Sequence, residues 1–118
     1  MRANGQEYFA QYSSFQLDNE AANYTLYVNS YKGNAGPASP DYGLLYSNNM
    51  PFSTYDRDND QYDGASCAAI HKGGFWYKMC SQANLNTVFQ PSNLYWAGSQ
   101  TVFLQLEFVE MKIRPIVL

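Results

Sequence analysis

The chain has 118 residues, a formal net charge of −3 at pH 7, and an unusual balance of 17% aromatic against 14% charged residues, with eleven tyrosines. That length suits one domain with a single modest core, and the tyrosine-rich, charge-poor composition suits half-buried sheets and recognition surfaces better than long solvent-exposed helices. The charge gives no basic footprint, which argues against a nucleic-acid partner, and no apolar run approaches membrane-spanning length.

Met1 is followed by the polar RANGQE, so the sequence carries no recognisable secretory leader, and an upstream segment is expected. Glu7 to Phe15 alternates Tyr8, Ala10 and Tyr12 against Phe9 and Gln11, a period of two that predicts a strand. Asp18 to Ala22 reads as a polar turn with Asp18 as its cap. A second strand is predicted from Tyr24 to Val28, and Asn23, Tyr24 and Thr25 form a glycosylation sequon with Asn23 as acceptor. Tyr31 to Pro51 is rich in Gly, Pro, Ser and Asn and reads as a long irregular connection. Neither a linker composition nor an internal repeat divides the chain.

The chemistry is concentrated in Ser53 to Asn86. Asp56, Asp58 and Asp60 stand at alternate positions, followed by Tyr62, Asp63 and Gly64. Carboxylates this close repel unless water, a base or a hard cation screens them, so the loop is either a calcium site or a solvated turn. It is not an EF-hand, because the sixth position from Asp56 is Gln61 and the twelfth is Cys67, where that loop needs Gly and Glu. Cys67 and Cys80 enclose a short loop whose closure by a disulfide is worth roughly 3 kcal/mol. Zinc competes for the same cysteines, with His71 between them, but the paired spacing of structural zinc sites is absent. No residue can be named that would orient His71 for nucleophilic catalysis. Trp76 reads as core, whereas Phe75 and Tyr77 are open to core or sugar-stacking roles.

Thr101 to Leu118 alternates Val102, Leu104, Leu106 and Phe108 against Phe103, Gln105 and Glu107, then shifts phase to Val109, Met111 and Ile113. It is the strongest strand pattern in the chain, and the shift predicts a bulge or a change of face. Strands at about 7–28 and 101–114 are expected to form one sheet, with a loop-rich subdomain at about 31–98. An unpaired edge of that sheet would be covered by a second copy or another chain.

The segments DRDNDQYDGASC, AAIHKGGFWYKMC and SQANLN, with MKIRP at Met111 to Pro115, resemble the C-terminal part of a fibrinogen-like domain of the ficolin and tachylectin type. The resemblance runs in order from about Asn4 to Pro115 and covers roughly the second half of the family domain. It implies an α+β fold with a small antiparallel sheet and a loop-rich calcium-binding subdomain, secretion, and no enzymatic activity.

Carried over by position, the resemblance implies Ca²⁺ bound by the carboxylates of Asp58 and Asp60 and the carbonyls of Tyr62 and Gly64, with Asp56 nearby and Ala65 as an extra residue. It implies a cis bond from Met79 to Cys80, beside a ligand pocket formed by His71, Tyr77, Met79, Cys80 and Ser81. Three departures bear on that pocket, the first being His71 where the family commonly carries Tyr or an acidic residue. Ser81 stands where acetyl-binding members carry His, and the loop after Asn86 reaches Asn93, Leu94, Tyr95 and Trp96 almost at once. The expected function is calcium-stabilised, lectin-like binding of acetylated or anionic glycans in innate defence. The alternative is a protein-binding module that engages a peptide or receptor, and a hydrolase has no paired carboxylates to support it.

Overall fold

The computed structural model describes residues 1–90 and 92–116. Its framework is three small antiparallel sheets around one core. Strands β1 (Arg2–Ala3) and β2 (Gln6–Glu7) pair across a tight turn, and β3 (Ala10–Leu17) pairs with β4 (Leu26–Gly33) in a long hairpin. The third sheet orders β5 (Ala83–Asn84), β6 (Tyr95–Ala97) and β7 (Phe103–Gln105). Among the described residues one α-helix, α1 (Cys67–His71), and two 3₁₀ turns at Glu20–Ala22 and Gly43–Ser47 complete the regular structure. Short sheets with little helix are the expected α+β class.

The β3–β4 hairpin extends beyond its sequence reading. The first predicted strand splits, with Phe9 between β2 and the longer β3. Asn23 and Tyr24 take left-handed φ of 51° and 54°, so the second strand cannot begin at Tyr24 and starts at Leu26. It then continues through Ser30 to Gly33, which the loop reading had included in part. Cross-strand pairing of Tyr12 with Tyr31 and of Ala10 with Gly33 holds this polar stretch extended. A Cβ at Gly33 would collide with the Phe9 carbonyl, so the close approach at the hairpin's open end requires glycine.

The C-terminal expectation is corrected more substantially. Among the described residues only Phe103–Gln105 forms a ladder, and its partner is β6 rather than the N-terminal strands. The reason is local: Gly98 donates to the Val102 carbonyl at 2.8 Å and closes a tight β6–β7 hairpin, which costs far less loop entropy than reaching the N-terminus. The ends meet at Arg2, whose N–H donates to the Phe108 carbonyl at 2.9 Å and whose carbonyl accepts from Glu107 N–H at 2.8 Å. The predicted change of phase is present. Leu104 and Leu106 are buried, whereas Phe108 turns outward and Val109 is half-buried.

Trp76 joins the sheets. Its ring lies edge-on to Phe15, Phe52 and Phe75 at centroid distances of 6.4, 5.4 and 5.2 Å. Its indole N–H donates to the Tyr24 carbonyl at 3.0 Å, so the ring is buried without an orphaned donor. Trp96 repeats the device by donating to the Ala35 carbonyl at 2.8 Å. Phe75 is fully buried beside Trp76 and reads as core, worth roughly 1.5–3 kcal/mol of apolar burial.

Candidate functional site

The site is built on the turn between α1 and β5. Ser66 caps α1, its hydroxyl accepting from Ala69 N–H at 3.2 Å, and Lys72 ends the helix in the left-handed region at φ 56°. At Gly73 the chain passes so close to the next segment that a Cβ would run into the Asn86 carbonyl and the Tyr77 hydroxyl. Cys67 and Cys80 are joined by a disulfide with Cα atoms 5.4 Å apart, which excludes the zinc alternative. The Met79–Cys80 peptide is cis, as expected.

Asn84 organises the interior of this turn and is fully buried. Its Oδ1 accepts from the Tyr77 hydroxyl at 2.7 Å, and its Nδ2 donates to the carbonyls of His71 and Asn93 at 3.2 and 2.7 Å. Thr87 donates to the same His71 carbonyl at 2.7 Å. One buried amide thus ties helix, turn and β6 approach together.

This network corrects the placement of Tyr77. The side chain is fully buried and its hydroxyl is committed to Asn84, so it backs the site and does not face a ligand. Burial, reinforced by Tyr95, pushes its phenol well above the ordinary range. His71 stacks on Tyr77 at 5.9 Å and tilts against Tyr95 at 6.2 Å; Tyr95 in turn stacks on Phe103 at 5.5 Å. The result is a row of rings running from half-buried His71 to Phe103, which is 60% exposed. Burial holds the His71 imidazole below the usual histidine range, so it is neutral at pH 7.

Ser81 and Met79 flank the row. The Ser81 and Tyr95 hydroxyls are 2.8 Å apart, and Tyr95 also donates to the Ser81 carbonyl at 3.2 Å. The Met79 carbonyl accepts from the Tyr46 hydroxyl at 3.2 Å, while its side chain is 62% exposed. His71 and Ser81 therefore both meet Tyr95, and Met79 and Cys80 precede Ser81 in the chain. Tyr95, Phe103 and Asn84 are the members that sequence reading missed. Phe103 was assigned to a strand alternation, and only the pairing of Ala97 with Phe103 brings it here.

Two concavities lie away from this face, one of about 10 Å³ lined by Tyr12 and Trp96 among others, and one of about 320 Å³ lined by Phe52, Trp76, Leu85, Val109 and Met111 among others.

The acidic loop folds against the same disulfide. Asn59 anchors it by donating to the Phe52 carbonyl at 2.9 Å, and Gln61 N–H donates to the Lys78 carbonyl at 2.9 Å. Asp60 accepts from the amides of Tyr62 and Cys67, both at 2.8 Å, one on each oxygen. Asp58 accepts from the Asp60 amide at 3.1 Å. Asp56 is turned to Thr54, whose hydroxyl donates at 2.7 Å and holds the carboxyl below its usual range. Among the described residues, no group of three or more His, Cys, Asp or Glu side chains converges on one point. The available donors are the carboxylates of Asp58 and Asp60 and backbone carbonyls, an all-oxygen set that fits a hard cation such as calcium with water completing its shell.

Residues 1–116 match the C-terminal globular domain of fibrinogen beta and gamma chains. The chain belongs to this fibrinogen-like family. It is 39% identical to the human fibrinogen alpha chain over 134 aligned positions, covering 96% of this chain and 15% of that one. It is 40% identical to mouse angiopoietin-related protein 7, covering 94% of this chain and 34% of the relative. The fibrinogen-like globe domain of human ANGPTL6 superposes with a TM-score of 0.69 at 34% identity, over 85% of this chain and 47% of that one. The ANGPTL2 globe domain gives 0.65 at 42% identity, over 73% and 37%. Lamprey fibrin D-dimer, solved with the peptide ligand Gly-His-Arg-Pro-amide, gives 0.67 at 27% identity, over 87% and 39%. This fibrinogen-like chain thus spans less than half the length of each of these proteins.

Proposed function

We propose that this chain is a non-catalytic, extracellular recognition module that binds a peptide or protein partner through the face formed by His71, Met79, Ser81, Tyr95 and Phe103. The observation that carries this reading is the exposure of Phe103 and Met79 beside half-buried His71, with the buried Tyr95 ring between His71 and Phe103. A shallow aromatic and methionine surface suits a peptide chain, which gains from rigid aromatic contact area and adaptable thioether packing. An acetyl group instead needs a small enclosed slot with a free donor. Here the Tyr77 hydroxyl is spent on Asn84, and Ser81 is engaged with Tyr95. The peptide complex of the lamprey relative adds support for the peptide class.

Calcium is the proposed structural cofactor, held by Asp58, Asp60 and the carbonyls of Tyr62 and Gly64. Its contribution would be to neutralise the loop that braces the Lys78 to Cys80 segment. The disulfide supports an oxidising, extracellular compartment.

The test is retention of the purified chain on immobilised Gly-His-Arg-Pro-amide, N-acetylglucosamine and glucosamine, each with calcium and then with chelator. The expected result is retention on the peptide, lost on replacing Phe103 by Ala. Calcium-dependent retention on N-acetylglucosamine alone would restore the glycan reading.

A further inference from the structure

The proposed recognition face continues past Met79 onto a cation. The Lys78 ammonium lies over the Tyr46 ring, 5.0 Å from its centroid, and the Tyr46 hydroxyl donates to the Met79 carbonyl at 3.2 Å. Tyr46 also neighbours Tyr95. Burial holds the Tyr95 phenol above its ordinary range, the Ser81 hydrogen bond opposes that rise, and the Tyr46 phenol adds to it. Lys78, Tyr46 and Tyr95 thus follow one another, and Tyr95 in turn meets Ser81, His71 and Phe103.

Among the described residues, Lys78 has no carboxylate within salt-bridge distance, the one such pair being Glu110 with Lys112. Asp60, which reaches the same disulfide through the Cys67 amide, has both oxygens occupied by backbone N–H groups. At the other end of the face exposed Lys72 follows His71, so a chain of net charge −3 presents lysines at both ends of this surface. Lys78 is half-buried, and its stem is laid against the Tyr46 ring before any partner arrives. The ring face offsets its charge in part but fills none of its N–H donors, which a carboxylate can accept from. Given the peptide partner proposed above, we infer that Lys78 is a specificity residue of this face and pairs with a carboxylate of that peptide. A cationic group placed there would meet Lys78 with nothing to offset the repulsion.

The experiment uses two pairs of peptides that each differ by one carboxylate. Gly-His-Arg-Pro as the free acid is compared with its amide, and the same peptide extended by Glu-amide is compared with its Gln-amide counterpart. Dissociation constants come from amide-shift titrations of the 118-residue chain at low and at high salt. In at least one pair the carboxylate should tighten binding about fivefold at low salt, and by less at high salt. The pair that responds tells whether a chain terminus or an acidic side chain supplies the carboxylate. Lys78→Gln should abolish the difference and Lys78→Arg should keep it. Lys112→Gln, which removes an exposed lysine paired with Glu110, should leave it intact. Binding of the peptides with no difference within either pair, or a difference that survives Lys78→Gln, overturns the assignment of Lys78 and leaves the peptide reading standing. Binding of none of them overturns the peptide reading and this assignment with it.

Discussion

Tyr77 and Asn84 are both fully buried and hydrogen-bond side chain to side chain at 2.7 Å, seven residues apart across the turn that carries the site. Because Asn84 also holds the carbonyls of His71 and Asn93, its loss strands the Asn93 acceptor and the Tyr77 donor together, while Thr87 still donates to His71. Replacing Asn84 by Leu should cost about 3 kcal/mol and Tyr77 by Phe about 1–2 kcal/mol, by chemical denaturation. The double variant should cost less than the sum, since the two share one bond. Additive costs would show that the network is not a unit.

The disulfide closes a loop of 13 residues' separation between α1 and the Cys80 turn. Replacing both cysteines by Ser should lower stability by about 3 kcal/mol through the unfolded chain's added freedom. Urea unfolding of the double variant against the parent measures it.

His71 titrates below the usual histidine range because burial disfavours its charged form. The unfolded chain then binds the proton more readily, so the sign is fixed: the neutral side chain costs nothing above the ordinary value of 6.5. Stability falls as pH drops through that value and levels off below the folded-state pKa. NMR titration of His71 should give a midpoint below 6.5, and His71→Gln should flatten the stability profile between about pH 4 and 7. A midpoint above the ordinary value would mean that an anionic partner, not burial, governs the imidazole.

Much of this was legible in the sequence, and what was hidden has a common cause. The family pattern around Cys67 to Cys80 located the disulfide, the cis bond and the acidic loop, because each is set by residues close together in the chain. Trp76 was read as core because a large aromatic beside two glycines has few other uses. The sequence leaves Tyr77 open, since its burial depends on Asn84, which looks like an ordinary loop residue until it is surrounded. The strand at 101–114 was overestimated because alternation reports a residue's preferred face, not whether a neighbouring strand is there to receive it. Phe103 joined the site only through the β6–β7 register.

Calcium should raise the melting temperature, and chelator should reverse the effect. At a hundredfold excess over the dissociation constant the gain is about 2.7 kcal/mol. Asp58→Asn should abolish that response with little effect on the calcium-free protein, because Asp58 accepts one amide. Asp60→Asn should abolish it and also lower basal stability, since both of its oxygens hold backbone amides. An unchanged calcium response in both variants would place the ion elsewhere.

Asn23 sits at the left-handed end of the 3₁₀ turn, and Thr25 of its sequon donates to the Ala22 carbonyl at 2.7 Å. The acceptor lies in a turn between β3 and β4, outside both strands. Expression through a secretory pathway should give a glycosidase-sensitive mass increase that Asn23→Gln removes.

The most direct measurement is the map of backbone amide shifts when unlabelled Gly-His-Arg-Pro-amide is added to the isotopically labelled chain, with N-acetylglucosamine added to a parallel sample. The peptide should shift the amides of His71, Met79, Ser81, Tyr95 and Phe103, and the sugar should leave them in place. Shifts at these residues with the sugar alone, or peptide shifts confined to other surfaces, would contradict the peptide-binding reading.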